Sequence, residues 1–234
     1  MASEMTPEAL ALIPDGNRRW SRGHKLSIFQ GYNLGVKKFV EFSEWCIDYG
    51  INNLSVWAFS TENLRRPGAE TKMLFEIYKK AANDKDIINR LHNNETRAVI
   101  VGNRDLLPKS LMTQLHKVEL ETKRYTKRTI NMLIGYGGRD DLLEAAQSMV
   151  RDAVNKRLRY VNEAVFRRYL LSGAIPDVDM VIRTSGEERL SGLMPWQTGY
   201  AELYFSEKMW PEFTRKDLDA ALTEYGRRQR RFGR

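Results

Sequence analysis

The chain has 234 residues, 42% of them apolar, with a formal net charge of +8 and one cysteine. That length supports one well-buried core, and without a Gly/Ser/Pro-rich divider it reads as a single domain over residues 1–234. The charge favours an anionic partner, Cys46 alone excludes an intrachain disulfide or a cysteine-built metal site, and no apolar run approaches the ~18 residues of a membrane span.

Residues 1–8 carry glutamates and no basic-then-apolar pattern, so they do not read as a secretory signal, and a cytoplasmic enzyme is expected. The first predicted strand, 10–13, runs directly into Pro14-Asp15-Gly16-Asn17-Arg18-Arg19-Trp20. A helix over 34–49 follows, with Val36, Phe39, Val40 and Ser43 on one stripe and Cys46 as a packing residue. Strand 54–60 ends in Ser60-Thr61-Glu62-Asn63. A helix over 70–91 comes next, and its polar run of Lys79, Lys80 and residues 83–86 reads as a solvated face. Strand 97–102, helix 107–125, strand 129–136 and helices 140–155 and 162–171 continue the alternation. Strand 180–183 leads into Thr184-Ser185-Gly186-Glu187-Glu188-Arg189, and strand 202–205 precedes a last helix over 216–229 capped by Thr214. This alternation predicts an α/β fold with a mostly parallel central sheet flanked by helices.

Three polar segments therefore follow the carboxyl ends of strands, the edge where open parallel sheets bind ligands. They bring Arg18, Arg19, Arg66, Arg183 and Arg189 together with Ser60, Thr61, Ser185 and Ser191 and the glycines 16 and 186. Guanidinium forks and close backbone approach suit phosphate oxygens, and Asp15 and Glu202 supply hard oxygen ligands for magnesium. No Gly-Lys-Ser/Thr phosphate loop is present, Gly135-Tyr136-Gly137-Gly138 lacks the full dinucleotide fingerprint, and His24, His92 and His116 have no metal-ligand spacing. Nucleic-acid binding is disfavoured, since the arginines gather at strand ends rather than among base-stacking aromatics. The terminal cluster Arg227, Arg228, Arg230, Arg231 and Arg234 reads either as a solvated helix end or as an anion contact.

Those residues resemble the cis-prenyltransferases, the undecaprenyl and dehydrodolichyl diphosphate synthases. Ile13-Pro14-Asp15-Gly16-Asn17-Arg18-Arg19-Trp20 is similar to the family's opening block, and Ala58-Phe59-Ser60-Thr61-Glu62-Asn63 with Arg66-Pro67 to its second. Tyr136-Gly137-Gly138-Arg139, then 179–187 with Arg189-Leu190-Ser191, then Tyr200-Ala201-Glu202-Leu203-Tyr204-Phe205, continue in family order to Arg231-Phe232-Gly233.

The resemblance implies condensation of isopentenyl diphosphate with an allylic prenyl diphosphate, forming cis double bonds, in a magnesium-dependent homodimer with a hydrophobic tunnel. It implies that Asp15 and Glu202 hold the metal, Glu202 beside a neighbouring subunit. Gly16, Asn17, Arg18, Arg19 and Arg66 cradle the leaving diphosphate, Arg183, Arg189, Leu190 and Ser191 serve the acceptor's diphosphate, and Ser60 and Asn63 help remove the proton. Thr61 and Glu62 join the substrate-binding set, Trp20, Phe59 and the helix from Glu70 are expected in the tunnel wall, and Arg231 and Gly233 reach a partner's site. Peripheral contact with an anionic membrane would suit a long apolar product.

Four positions depart from the family pattern. Ile28 and Tyr32 stand where diphosphate-binding Arg and His are usual, Leu64 replaces a Trp, and Gly135 replaces an Asn. The first two predict an atypical allylic substrate or acceptor. A catalytically inactive partner subunit is the alternative, against which the intact Asp15-Gly16-Asn17 block argues.

Overall fold

The computed structural model describes residues 6–228, so the expected contacts of Arg231 and Gly233 lie outside the described residues. Six strands, β1 (Ala9–Ile13), β2 (Asn53–Ser60), β3 (Thr96–Val101), β4 (Arg128–Tyr136), β5 (Met180–Arg183) and β6 (Glu202–Phe205), form one sheet in the order β3-β4-β2-β1-β5-β6. Every pairing is parallel, so all carboxyl ends share one edge. The central strands β1 and β5 are buried at every position, as their unbroken apolar runs require of strands covered on both faces. From β1 the chain steps outward to β2 on one side and later returns to β5 on the other. The sheet's switch point therefore lies between β1 and β5.

Among the described residues eight α-helices flank the sheet: α1 (Asn17–Gly23), α2 (Ile28–Asp48), α3 (Gly68–Ala82), α4 (Lys85–Asn93), α5 (Lys109–Thr122), α6 (Gly138–Val154), α7 (Glu163–Tyr169) and, after the last strand, α8 (Arg215–Arg227). Three differ from the sequence expectation. The segment read as an open loop turns helical at Asn17, forming α1. Helix α2 begins at Ile28, where Ser27 and Gln30 close a reciprocal capping box. The single helix expected over 70–91 is two, because the Asp84 carboxylate accepts from the backbone N–H of Asp86 at 2.9 Å and of Ile87 at 3.4 Å. Such an N-cap outweighs continuation of a polar helix, and the polar run spanning the break is exposed at Lys80 and residues 83–86, the solvated face expected of it. Thr214 caps α8 as expected, in a box with Asp217.

Alternate strand residues feed two cores. Leu10, Leu12, Val56 and Ile182 meet Phe42 and Cys46 of α2, Leu218 of α8, and Trp210 and Phe213. On the opposite face Ala11, Ile13, Leu133 and Val181 meet Ile175, Leu193 and Met194. Cys46 is 1% exposed, the packing role its pattern predicted. Among the described residues no helix is long and apolar enough to cross a membrane.

Candidate active site

The site begins where β1 and β5 end side by side. Gly16 adopts φ +100°, and a Cβ there would lie 2.6 Å from Met209 Sδ and 2.9 Å from Ser185 Cβ. Only glycine fits that turn, which points Asp15 across the sheet edge. Asp15 Oδ1 accepts from the Gly16 N–H at 2.7 Å, and Oδ2 accepts from Arg183 Nη2 at 2.9 Å. Thr184 Oγ1 donates to the Asp15 carbonyl at 2.7 Å, locking the two strand ends together. Arg183 is only 5% exposed, and its Nη1 donates to Ser191 Oγ at 2.9 Å and to the Arg189 carbonyl. Its Nε–H is buried without a partner. A buried guanidinium with a spare donor suits an anion.

Helix α1 and the end of β2 supply the rest of the rim. Arg19 Nη2 donates to Ser185 Oγ at 2.6 Å and Nη1 pairs with Glu187 at 3.1 Å. Glu70, buried at the start of α3, holds Arg66 at 3.4 Å and Arg18 at 3.7 Å, and the Nε of Arg18 is also buried without a partner. Arg66 Nη1 donates to Tyr32 Oη at 2.7 Å. Burial pushes the Tyr32 phenol up from its ordinary pKa, with Arg66 opposing, so it stays protonated at neutral pH. Ser60 and Asn63 fix each other across a 3-10 turn, each side chain accepting from the other's backbone N–H at 3.2 Å.

Below this rim opens a cavity of about 600 Å³. Asp15, Gly16, Asn17, Arg18, Arg19, Ser60, Glu62, Asn63, Arg66, Arg183 and Ser191 all line it. Its floor is one face of the sheet, Val56 and Ala58, Ala98 and Ile100, Ile130 and Met132, two residues apart on each strand as the pleat dictates. The other wall is Val36, Phe39, Val40 and Ile47 of α2 with Leu74 and Tyr78 of α3 and Ile87 and Ile88 of α4. Sequence reasoning read Val36, Phe39, Val40 and Ser43 as one helical stripe without placing it in the tunnel. It is the tunnel wall, and no local signal separates a tunnel wall from a core face, because both need the same apolar helical spacing.

Several predicted residues fall elsewhere. Trp20 stacks on His24 at 4.2 Å between ring centroids and donates from Nε1 to Glu212 at 2.9 Å, so it is not a tunnel wall. Phe59 points away from the cavity and packs on Phe75 at 5.0 Å in a third core cluster. Thr61, Arg189 and Leu190 lie outside the lining; Arg189 pairs on the surface with Glu187 at 2.5 Å and Leu190 packs under β1. Glu202 begins β6 opposite Met180, while Arg183 stands opposite Phe205, so it lies roughly 10 Å down the strand from the Arg183 level at ~3.3 Å per residue. It pairs there with Arg228 at 3.1 Å. Within one chain, Asp15 and Glu202 are not brought together, and a metal between them requires Glu202 from a second copy.

The departures acquire physical reasons. Tyr32 sets a neutral phenol on Arg66, and Ile28 opens α2 directly after Ser27, which closes the capping box with Gln30. Gly135 adopts φ +68° with the Asn103 carbonyl 3.1 Å from where a Cβ would stand, so glycine is the unstrained choice. Leu64 is 37% exposed on its turn.

An apolar tunnel capped by spare guanidinium donors is the site of an enzyme acting on hydrocarbons that carry a diphosphate head. Comparison with known proteins agrees: residues 13–233 match the family model of undecaprenyl diphosphate synthases. The tritrans,polycis-undecaprenyl-diphosphate synthase (geranylgeranyl-diphosphate specific) of Thermoplasma acidophilum is 41% identical over 230 residues, covering 97% of this chain and 89% of the relative. Dehydrodolichyl diphosphate synthase 3 of Arabidopsis thaliana is 40% identical over 234 residues, 98% of this chain and 77% of the relative. The crystal structure of lavandulyl diphosphate synthase from Lavandula x intermedia, in complex with dimethylallyl diphosphate, superposes with a TM-score of 0.94 at 29% identity over 99% of this chain and 100% of that one. The chain belongs to the undecaprenyl diphosphate synthase family, the cis-prenyltransferases, and is a transferase.

Proposed function

We propose that this protein joins isopentenyl diphosphate to an allylic prenyl diphosphate whose tail lies in the tunnel, extending it with cis double bonds. The observation that carries this reading is Arg183, buried, fixed by Asp15 and Ser191, and holding a spare Nε–H at the tunnel mouth. In the reaction the allylic C1–O bond breaks, the isopentenyl C4 bonds to C1, and a proton leaves C2. Arg18, Arg19 and Arg66 receive the charge growing on the departing diphosphate, and the arginines were oriented beforehand by Ser185, Glu70 and Tyr32. Arg183 and Ser191 hold the acceptor's diphosphate. The apolar walls keep water from the allylic centre. Ser60 and Asn63, both weak bases, orient the leaving proton toward the released diphosphate.

Magnesium fits this site. Among the described residues no group of three or more His, Cys, Asp or Glu could hold a metal ion. Asp15, 35% exposed at the mouth, matches an ion that takes one or two carboxylates and completes its shell with phosphate oxygens. When bound, it would neutralise diphosphate charge.

The tunnel reaches from the carboxyl edge to Asn94 and Thr96 at the start of β3, which favours a multi-prenyl allylic substrate such as the geranylgeranyl diphosphate in the relatives' names. A second reading, a dimethylallyl substrate, is favoured by the fit to lavandulyl diphosphate synthase together with Tyr32 at the mouth. Mass analysis of products from labelled isopentenyl diphosphate with C5 to C20 allylic diphosphates tests both. Long polyprenyl products from the longer primers support the first reading, and a short product from the C5 substrate alone supports the second. Absence of any condensation product would overturn both, and would leave the inactive-subunit alternative.

A homodimer is part of the proposal, because Glu202 can complete a metal site only in a second copy. The exposed stripe of Leu143, Val150 and Val154 on α6 suits such a contact, and light scattering measures it. A cytoplasmic location is the corresponding expectation, checked by fractionation.

A further inference from the structure

All strands are parallel, so the sheet has a second edge, where the amino ends gather, and the tunnel leads there. Its lower end is lined by Glu44, Arg90, Asn94 and Thr96. Glu44 and Arg90 form an ion pair whose side chains are 40% and 50% exposed, so the passage ends at the protein surface between α2 and α4.

The segment joining α5 to β4 lies against that opening. Arg128 Nη1 donates to the Asn94 carbonyl at 2.7 Å, Lys127 pairs with Glu95 at 3.2 Å, and Tyr125 Oη is 3.0 Å from His92 Nδ1. These contacts hold Lys123, Arg124 and Lys127, all exposed, beside the opening. A second basic group shares the edge, because α6 starts at the end of β4 and its 17 residues run back about 25 Å. There Arg157, Arg159 and Arg168 border a groove of about 490 Å³ with Leu158 and Val165 in it. Among the described residues these three arginines have no carboxylate partner. The neighbouring acids are engaged, Asp152 by Tyr169 and Asp177 by Arg167. Beside the arginines Tyr160 and Val161 are 69% and 58% exposed.

We propose that this amino edge is the docking face for an anionic phospholipid bilayer, with the tunnel's lower mouth opening onto it. The inference rests on the tunnel holding an isoprenoid only for its purpose: a lengthening apolar chain would leave water for lipid at that mouth. Basic residues near an anionic leaflet draw the protein down, and an exposed tyrosine and valine next to them suit the headgroup layer. A nucleic acid would explain the charge but neither the apolar side chains nor the opening.

The test is co-sedimentation of the whole protein with vesicles of phosphatidylcholine, alone and mixed with phosphatidylglycerol. Binding only to the mixed vesicles, weakened by added salt, is expected. The triple variants K123Q/R124Q/K127Q and R157Q/R159Q/R168Q should each lower that binding on the order of a hundredfold, since each basic residue near the surface adds comparably. Tyr160→Ser with Val161→Ser should lower it less. Arg124 stacks on Tyr125 and Lys127 pairs with Glu95, both at the exposed surface where such contacts contribute little, so melting temperatures and turnover of a short soluble substrate should stay near wild type. Equal binding to neutral vesicles, undiminished binding by both triple variants, or capture of tRNA in preference to anionic vesicles would overturn the proposal. Failed turnover with intact vesicle binding would instead count against the catalytic reading.

Discussion

The mouth and the tunnel of this enzyme are built on opposite principles. At the mouth the charged side chains are positioned by neighbours: Asp15 by the Gly16 N–H and Arg183, Arg183 by Ser191, Arg19 by Ser185, and Arg66 by Tyr32 and Glu70. Between sheet and helices the tunnel wall is mainly apolar, and small residues such as Ala58 and Ala98 leave room there. Order at the mouth determines how fast charge is transferred, whereas volume in the tunnel determines how much hydrocarbon fits. Substitutions in the two regions should therefore change different observables.

The largest effect is expected at Asp15. Asp15→Ala should lower turnover at least ~100-fold, the usual size for removing one stabiliser of transition-state charge, and should also lower the melting temperature, because it leaves the buried Arg183 guanidinium without its carboxylate. Near-normal turnover would make Asp15 structural and erase the contrast. Next comes the tunnel: Ala98→Leu, on the sheet floor of the lower half, should shorten the longest products at unchanged initial rate, as mass analysis would show. Its stability loss should be about 1–3 kcal/mol at most, the typical cost of overpacking. A slower first condensation with the same product lengths would mean that depth and chemistry are not separable.

Tyr32→Phe sits on the boundary and sharpens it. Loss of one hydrogen bond to a charged partner, about 1–2 kcal/mol, should raise KM for the allylic substrate roughly fivefold or more with little change in kcat. An equal fall in kcat would place the phenol in the chemical step. The smallest effect is expected from Trp20→Phe, which removes the bond to Glu212 outside the tunnel. Product length should be unchanged, and any shift would return Trp20 to the tunnel wall.

How much of this was legible in the sequence follows from what each feature depends on. All six strands were readable, because buried parallel strands such as Leu10-Ala11-Leu12-Ile13 are continuous apolar runs flanked by polar turns. The convergence of Asp15, Arg183 and Ser191 followed from parallel connectivity, which sends successive strand ends to one edge. Where a side chain points at close range was not readable. Trp20 and Phe59 belong to motif blocks that face the site, yet one turns outward on α1 and the other inward, since helix onset at Asn17 and the register shift between Trp57 and Phe59 are tertiary outcomes. Local competition hid the α3–α4 break, where one aspartate's capping bonds decided against a continuous helix. The distance between Asp15 and Glu202 depended on strand register, which no motif spacing carries.

The account's central claim is that the diphosphate head sits among the arginines while the tail lies between α2 and the sheet. Calorimetry with non-reactive thiodiphosphate analogues of increasing prenyl length measures this directly. Affinity should rise with each added unit until the tunnel is full, because every buried methylene contributes up to about 0.8 kcal/mol, and Val36→Trp should flatten that rise without weakening the C5 analogue. Affinity independent of tail length, in wild type and variant alike, would contradict the claim.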